Sequence, residues 1–312
     1  MILTIIIPIY KVEKTIEACL NSIYSQGINE SLFSLVLVND GSPDNSVSLC
    51  SPYMEKHKNI RLIEQANQGL SMARNRGLDN SNSEYVWFVD SDDTIHENSI
   101  NSILKSIQLY NSDCLLLGHE EVDEKGAVIN HYCYKEDKEM SGVDFLSNNF
   151  KDCKFFIPAQ FTVWKRDFLI RNQLFFYPSI YHEDCEFTPK AIFLSSSIVC
   201  INGIHYKYIR HDNTISTTIC SKRAYNYFTV AKSLCSFSIA KSNPSILCNF
   251  SALFLNSSIK IIMKCGAKEQ IKFWNFVRKE TPSIQSIAKE STGKYKITSS
   301  LIYILIKLSS WN

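Results

Sequence analysis

Three carboxylates, Asp90, Asp92 and Asp93, lie within the four residues DSDD, directly after the apolar run YVWFV. Like charges this close repel one another. The cluster therefore either caps the helix that follows, where carboxylates are favoured, or is built to receive a cation. Hard divalent ions such as Mg2+ or Mn2+ take one or two carboxylates and complete their shell with water and phosphate oxygens. A second acidic pair, Glu183 and Asp184 in YHEDCEF, offers a general base or an ordinary polar helix start; His182 before it carries no assigned role. Asp40 ends the run SLVLVND ahead of GSPDNS, as a ligand or as the first residue of a β-turn. Tyr10, Glu13 and Arg74 have plain readings too: core packing, a first-turn helix carboxylate and a solvated charge.

These groups need a frame, and the first third of the chain supplies one. TIIIPIY, SLVLVND, NIRLIEQ and YVWFVD are short, continuous apolar runs, the pattern of strands buried on both faces. Between them, VEKTIEACLNSIYSQ places Ile16, Leu20 and Ile23 at helical intervals, a second helix spans about Val47 to Met54, and GLSMARNRGLDNS reads as loop and helix. SILKSIQLY and DCLLLGHE continue the alternation. Strands alternating with helices predict a doubly wound, mostly parallel α/β sheet. Ligands of such sheets bind beyond the carboxyl ends of the strands. There lie Pro8-Ile9-Tyr10, Asn39-Asp40-Gly41-Ser42 and Asp90-Ser91-Asp92-Asp93. Beyond about residue 120 the pattern becomes mixed and aromatic-rich, as in the wall of a cleft. After Ser221 it turns Ser- and Lys-rich with helical spacing.

The 312 residues allow one large domain or two modest ones. A hydrophobic share of 45% and a charged share of 21% are those of an ordinary globular protein. The charge is unevenly divided. From Ser221 onward there are 14 basic against 3 acidic residues, leaving 19 against 28 before it. The 11 cysteines form no CxxC pair, which argues against a zinc site or a disulfide framework and for small buried groups in a reducing compartment. MILTIIIPIY lacks a basic leader and a small-residue cleavage site and reads as a strand. No run of roughly 20 apolar residues is expected to span a bilayer.

In order and spacing, IIIPIYKVEKTIEACLNSIYSQ, VLVNDGSPDNS, NQGLSMARNRGL and EYVWFVDSDD resemble the N-terminal half of family 2 glycosyltransferases of the GT-A fold. HEDCEF and YIRHDNTIS resemble that family's second half, so the likeness covers roughly residues 3–218. It implies a GT-A-like sheet with a mixed acceptor-side region, a UDP-sugar donor and a Mn2+ or Mg2+ ion. In that likeness Tyr10 stacks on the base, while Glu13 and Asp40 hydrogen-bond base or ribose. Arg74 lies near base or diphosphate, Asp90 holds the ribose side, and Pro8 and Ser91 join the donor set. Asp92 ligates the metal and Asp93 its water shell. Asp184 is the base, Glu183 binds the acceptor or steers Asp184, and Trp164 packs an aromatic face by the acceptor. Arg210 and His211 contact phosphate. One base and direct displacement imply inversion at the anomeric carbon.

The resemblance further implies assembly of a bacterial surface polysaccharide, such as O-antigen or capsule. The acceptor is then a saccharide, free or carried on a lipid diphosphate, at the inner face of the cytoplasmic membrane. The C-terminal end, KYKITSSLIYILIKLSSWN, either packs its apolar stripe on the domain or, with the basic excess, rests on an anionic membrane surface. No nucleic-acid motif is present. Three regions are expected: residues 1–115 for the donor, 116–220 for acceptor and base, and a basic helical segment over 221–312. Two other readings stand beside this one. A Mg-dependent nucleotidyltransferase or phosphatase would want a glycine-rich phosphate loop or a nucleophile near strand one, and IPIYKVEKT has neither. A nucleotide-sugar-binding protein without transferase activity would have no use for both DSDD and HED.

Overall fold

The computed structural model describes residues 1–149, 158–211 and 218–309. The chain runs β1 (Leu3–Ile9), α1 (Ile16–Tyr24), β2 (Phe33–Asn39), α2 (Ser46–Lys56), β3 (Ile60–Glu64), α3 (Leu70–Asp79), β4 (Tyr85–Phe88), β5 (Thr94–Ile95) and α4 (Ser99–Tyr110). Next come β6 (Cys114–Leu116), β7 (His119–Val122), β8 (Val128–Tyr132), β9 (Lys138–Met140) and α5 (Gly142–Asn149). After a 3-10 turn at Ala159–Phe161 follow β10 (Thr162–Lys165), α6 (Arg166–Arg171), α7 (Glu183–Leu194), β11 (Ile198–Cys200) and β12 (Tyr206–Ile209). Five helices end the described chain: α8 (Ser221–Ile239), α9 (Ser245–Ile262), α10 (Ala267–Lys279), α11 (Thr281–Glu290) and α12 (Gly293–Ser309).

The main sheet has the order β3-β2-β1-β4-β10-β6-β11-β9. Its first four strands are mutually parallel, whereas β10 runs antiparallel between β4 and β6. Order reverses at β1, which pairs with both β2 and β4, so a crevice opens at the carboxyl ends of β1 and β4. All seven residues of β1 are buried. Leu3, Ile5, Ile7 and Ile9 pack in the cluster that includes Ile16, Leu20 and Ile103, while Ile6 packs in the cluster that includes Ala73, Leu78 and Phe187. Helices on both faces explain why the strand reads as an unbroken apolar run. Each such fully buried side chain stabilises by about 1.5–3 kcal/mol relative to exposure.

DCLLLGHE is two strands rather than one. Gly118 lies between β6 and β7, which belong to different sheets, the second ordered β5-β12-β7-β8. A Cβ at Gly118 would sit 2.0 Å from the Gly203 carbonyl oxygen, so the crossover passes only through glycine. The C-terminal helices share a core with the sheet: Phe228, Leu234, Leu255, Phe273, Ile284 and Ile306 join the cluster that holds Ile6 and Phe88. The apolar stripe of the terminal segment is therefore partly core, through Ile302 and Ile306, though Ile297, Leu301 and Ile304 remain exposed. Against expectation, α9 is long and apolar enough, by length and composition, to cross a membrane; half of it is buried within the protein. Seven of the ten described cysteines are buried and none is disulfide-bonded, although Cys133 is exposed.

Candidate active site

DSDD does not cap a helix. After it come β5 and then α4, whose first residue is Ser99. The turn is held instead by Tyr206, whose hydroxyl accepts from the Asp90 amide at 3.1 Å and donates to Asp93 Oδ2 at 2.7 Å. Asp93 Oδ1 also accepts from the Ile209 amide at 2.8 Å, so β12 braces the turn. Tyr206 gave no signal in the sequence, where it is one aromatic among several in HYKYI. Oxygens of Asp90, Asp92 and Asp93 lie within 4.8 Å of one another. Burial pushes the Asp93 carboxyl well up, and the charges of Asp92 and Asp90 push it further. Burial and the Asp90 charge likewise raise Asp92.

An oxygen-rich set of this kind suits a hard divalent ion. A second observation supports the fit. His211 Nε2 is buried and has no hydrogen-bond partner among the described residues, and it lies 4.0 Å from Asp92 Oδ2, while Nδ1 of the same ring is 3.0 Å from Glu124. Asp92 keeps 47% of its side chain exposed, and so remains open to a ligand. Arg210 pairs with Glu121 at 2.6 Å and stays about half exposed. Residues 212–217 of the YIRHDNTIS stretch lie outside the described residues.

A cleft of about 510 Å3 opens beside this cluster, and Lys11, Glu13, Lys14, Asp44, Asp92 and His211 line it. Its floor is a knot between two loops. Ser42 Oγ accepts from the Lys11 amide and donates to Asp44. Ser46 Oγ accepts from the Val12 amide and donates to the same carboxylate. Some desolvation opposes ionisation of Asp44, but the hydroxyls of Ser42 and Ser46 and the amides of Ser46 and Glu13 hold it down at about 2. The turn-forming GSPDNS is thus also a clamp, which its composition alone does not reveal. Tyr10 is 43% exposed and is not core; Pro8 is buried in β1 and Ser91 is buried in the turn. Glu13 accepts from the Asn45 amide at 3.2 Å.

Asp40 is 3% exposed. Its Oδ1 accepts from Gln65 Nε2 at 2.7 Å and the Gln68 amide at 2.8 Å, and its Oδ2 accepts from the Gly69 amide at 2.8 Å. It pins the loop that leads into α3, with one acceptor position of Oδ2 left over. Gly69 has φ +88° at the start of that helix, where a side chain would be strained.

Arg74, on α3, is no solvated charge. It is 2% exposed, and its guanidinium donates to Asp90 Oδ1 at 2.6 Å and to Glu183 Oε1 at 2.5 Å. Phe176 lies 5.2 Å beneath it. Burial alone would lower its pKa, but Asp90 and Glu183 more than offset that and raise it. One side chain thereby ties DSDD to the acid pair at the start of α7, residues 109 positions away in sequence. Asp184 follows Glu183 there, and its own Oδ1 accepts from the Cys185 amide at 2.8 Å. Burial and the neighbouring Glu183 push its carboxyl up to about 7, against the lowering effect of Arg74.

His182, without a role in the sequence reading, caps α7 in the left-handed region at φ 62°. Its ring stacks on Tyr227 at 4.3 Å, and its Nε2 accepts from Arg223 Nε at 3.3 Å. Trp164 is a correction. It is fully buried in β10, its Nε1 donates to Thr162 Oγ1 at 2.6 Å, and its ring packs on Phe168 and Phe187. Such a ring presents no face to an acceptor, because the central strand it occupies is covered on both sides.

Comparison with known proteins gives this geometry a family. Residues 4–166 match the model of glycosyl transferase family 2. The Streptococcus pneumoniae glycosyltransferase GlyA is 31% identical over 211 residues, 66% of this chain and 30% of GlyA. The Bacillus subtilis minor teichoic acid biosynthesis protein GgaB is 38% identical over 102 residues, 32% of this chain and 11% of GgaB. The chain thus spans less than a third of either relative's length. The crystal structure of S. aureus TarS 1-349 in complex with UDP-GlcNAc superposes with a TM-score of 0.78 at 21% identity, covering 99% of this chain and 91% of that one. The shared fold is the mixed, mostly parallel GT-A-like α/β architecture with a helical C-terminal region.

Proposed function

This chain belongs to glycosyl transferase family 2, and we propose that it transfers a hexosyl or N-acetylhexosaminyl group from a UDP-sugar to a hydroxyl of a saccharide acceptor, with inversion, in the synthesis of a bacterial surface polysaccharide. The observation that carries the reading is Arg74, which joins the donor-side carboxylates to the acid pair of α7. A binding protein without chemistry would not need to couple the two. That TarS binds UDP-GlcNAc supports UDP as the nucleotide, and the teichoic acid role of GgaB supports the surface-polymer context.

Tyr10 offers the base an exposed ring, a contact available to any aromatic face. Glu13 and the free position of Asp40 accept from base or ribose, and Asp90 holds the ribose side. Asp92, Asp93 and His211 would hold Mn2+ or Mg2+, which when bound supplies positive charge beside the leaving diphosphate. Arg210 and His211 add charge-assisted donors for phosphate. As the anomeric carbon loses its leaving group it becomes oxocarbenium-like. Asp184 takes the acceptor hydroxyl's proton as that oxygen attacks from the opposite face. Glu183, held by Arg74, fixes the helix turn on which Asp184 sits. Residues 1–115 serve the donor, 116–220 the acceptor, and 221–312 brace the acceptor side. Lys264, just before α10, and Lys268, Lys272 and Lys279 on it are exposed around the exposed Ile271, which supports a peripheral position on the anionic inner membrane surface.

Thermal shift with UDP, GDP, dTDP and CMP, each with and without Mn2+, tests the reading. Stabilisation by UDP that grows with Mn2+ and disappears in Asp92→Ala is the expected result. A folded protein that responds to none of the four would sink the donor site.

A further inference from the structure

Two arginines meet the segment that carries Asp184, and among the described residues only Arg74 is neutralised. Arg74 bridges two carboxylates. Arg223, 9% exposed, makes no ion pair among the described residues. Its partners are neutral: Nε donates to His182 Nε2 at 3.3 Å, Nη1 donates to the Thr218 carbonyl at 2.6 Å, and the Tyr227 hydroxyl lies beside it. His182 does not supply an anion, and burial followed by the Arg223 charge lowers its pKa to about 4, which keeps it neutral. A buried cation without a counter-charge is costly unless a ligand provides one.

The neighbouring residue adds to the field. Lys222 is exposed, has no acidic partner among the described residues, and places its Nζ 4.1 Å from the centre of the Tyr181 ring. Asn226 Oδ1 accepts from the Tyr181 amide at 3.0 Å. The first two turns of α8 therefore grip residues 181 and 182, directly before Glu183 and Asp184. Both side chains also stand at the positive end of a 19-residue helix.

We propose that Arg223 and Lys222 form a binding site for a phosphate group of the acceptor, which seats the accepting hydroxyl beside Asp184; the proposal rests on the reading of Asp184 as the base. The acceptor would then be a phosphorylated saccharide or polyol rather than a neutral glycan. Two sources carry that chemistry, a phosphodiester polymer and a lipid diphosphate. The donor diphosphate is excluded as the occupant, since it belongs to the cleft of Asp92 and His211.

Isothermal titration with saturating UDP and Mn2+, which occupies the donor cleft, separates these cases. The probes are a glycerol-phosphate trimer, farnesyl diphosphate, and farnesol as the uncharged control. At least one phosphorylated probe should bind wild type while farnesol does not, and the one that binds names the source. Lys222→Gln and Arg223→Gln should each weaken that binding about tenfold or more, Arg223→Lys less, with UDP affinity within about twofold of wild type in all three. Lys222→Gln is a surface change and guards against a misfolded Arg223 variant. Absence of binding by both phosphorylated probes, or equal binding by wild type and Lys222→Gln and Arg223→Gln, would overturn the site. Loss of UDP binding by wild type would instead strike the donor reading and leave the anion result standing.

Discussion

Arg74 comes from the N-terminal half of the chain and Arg223 from the C-terminal helices, and they are buried to 2% and 9% exposure. Arg74 lies between Asp90 and Glu183; Arg223 lies among a neutral imidazole, a carbonyl and a hydroxyl. The Arg74 charge is therefore neutralised within the protein and its surroundings are preformed. Arg223 is left, among the described residues, with a positive charge that, on the reading proposed above, an acceptor phosphate would complete. A site of the first kind loses its architecture when its arginine is removed, and a site of the second kind loses its ligand.

Arg74→Met gives the largest effect. It strands the buried Glu183 carboxylate and the partly buried Asp90, so stability falls by about 3–5 kcal/mol and transfer is lost, as urea unfolding and an activity assay would record. A variant as stable as wild type would dissolve the contrast. Asp184→Asn comes next. Transfer is expected to fall by about 10^2–10^4-fold, the usual contribution of a positioned base, while the UDP-induced thermal shift is unchanged. Retained transfer would move the base elsewhere.

The same carboxyl predicts a pH dependence. With its pKa pushed up to about 7, Asp184 is protonated below that pH, so kcat/KM should decline as pH falls through 7. Stability runs the other way. The native state keeps this proton between the ordinary carboxyl value of 3.8 and about 7, while the unfolded chain has released it. In that window the protein loses stability as pH rises. Urea midpoints from pH 5 to 8 should show that decline flattened in Asp184→Asn, and identical slopes would remove the group as the cause. Arg223→Met gives the smallest effect on stability, about 1 kcal/mol in either direction, because the lost neutral hydrogen bonds are offset by removal of an uncompensated charge. A loss as large as that of Arg74→Met would show a hidden counter-ion.

Some elements were legible because their cause is local. The runs TIIIPIY and YVWFVD are apolar on both pleat faces since both faces are covered, and the strand ends had to carry the polar groups. DSDD stood out because carboxylates rarely crowd without a reason. Trp164 was misassigned because a tryptophan at an acceptor wall and one in a central strand look identical in sequence. DCLLLGHE concealed a change of sheet, since only the approach of Gly203 to Gly118 forces the chain to turn there.

By itself the sequence determined the parallel sheet, the carboxylate-rich strand ends and the acid pair, because hydrophobic period and local charge are properties of neighbouring residues. Only the tertiary structure decided that Arg74 joins the two acidic clusters, that Tyr206 braces DSDD across 116 positions, and that Arg223 pairs with no carboxylate among the described residues. Those facts depend on which distant side chains share a buried, low-dielectric space. There the pairing of charges is set by the packing of whole elements, which no local pattern encodes.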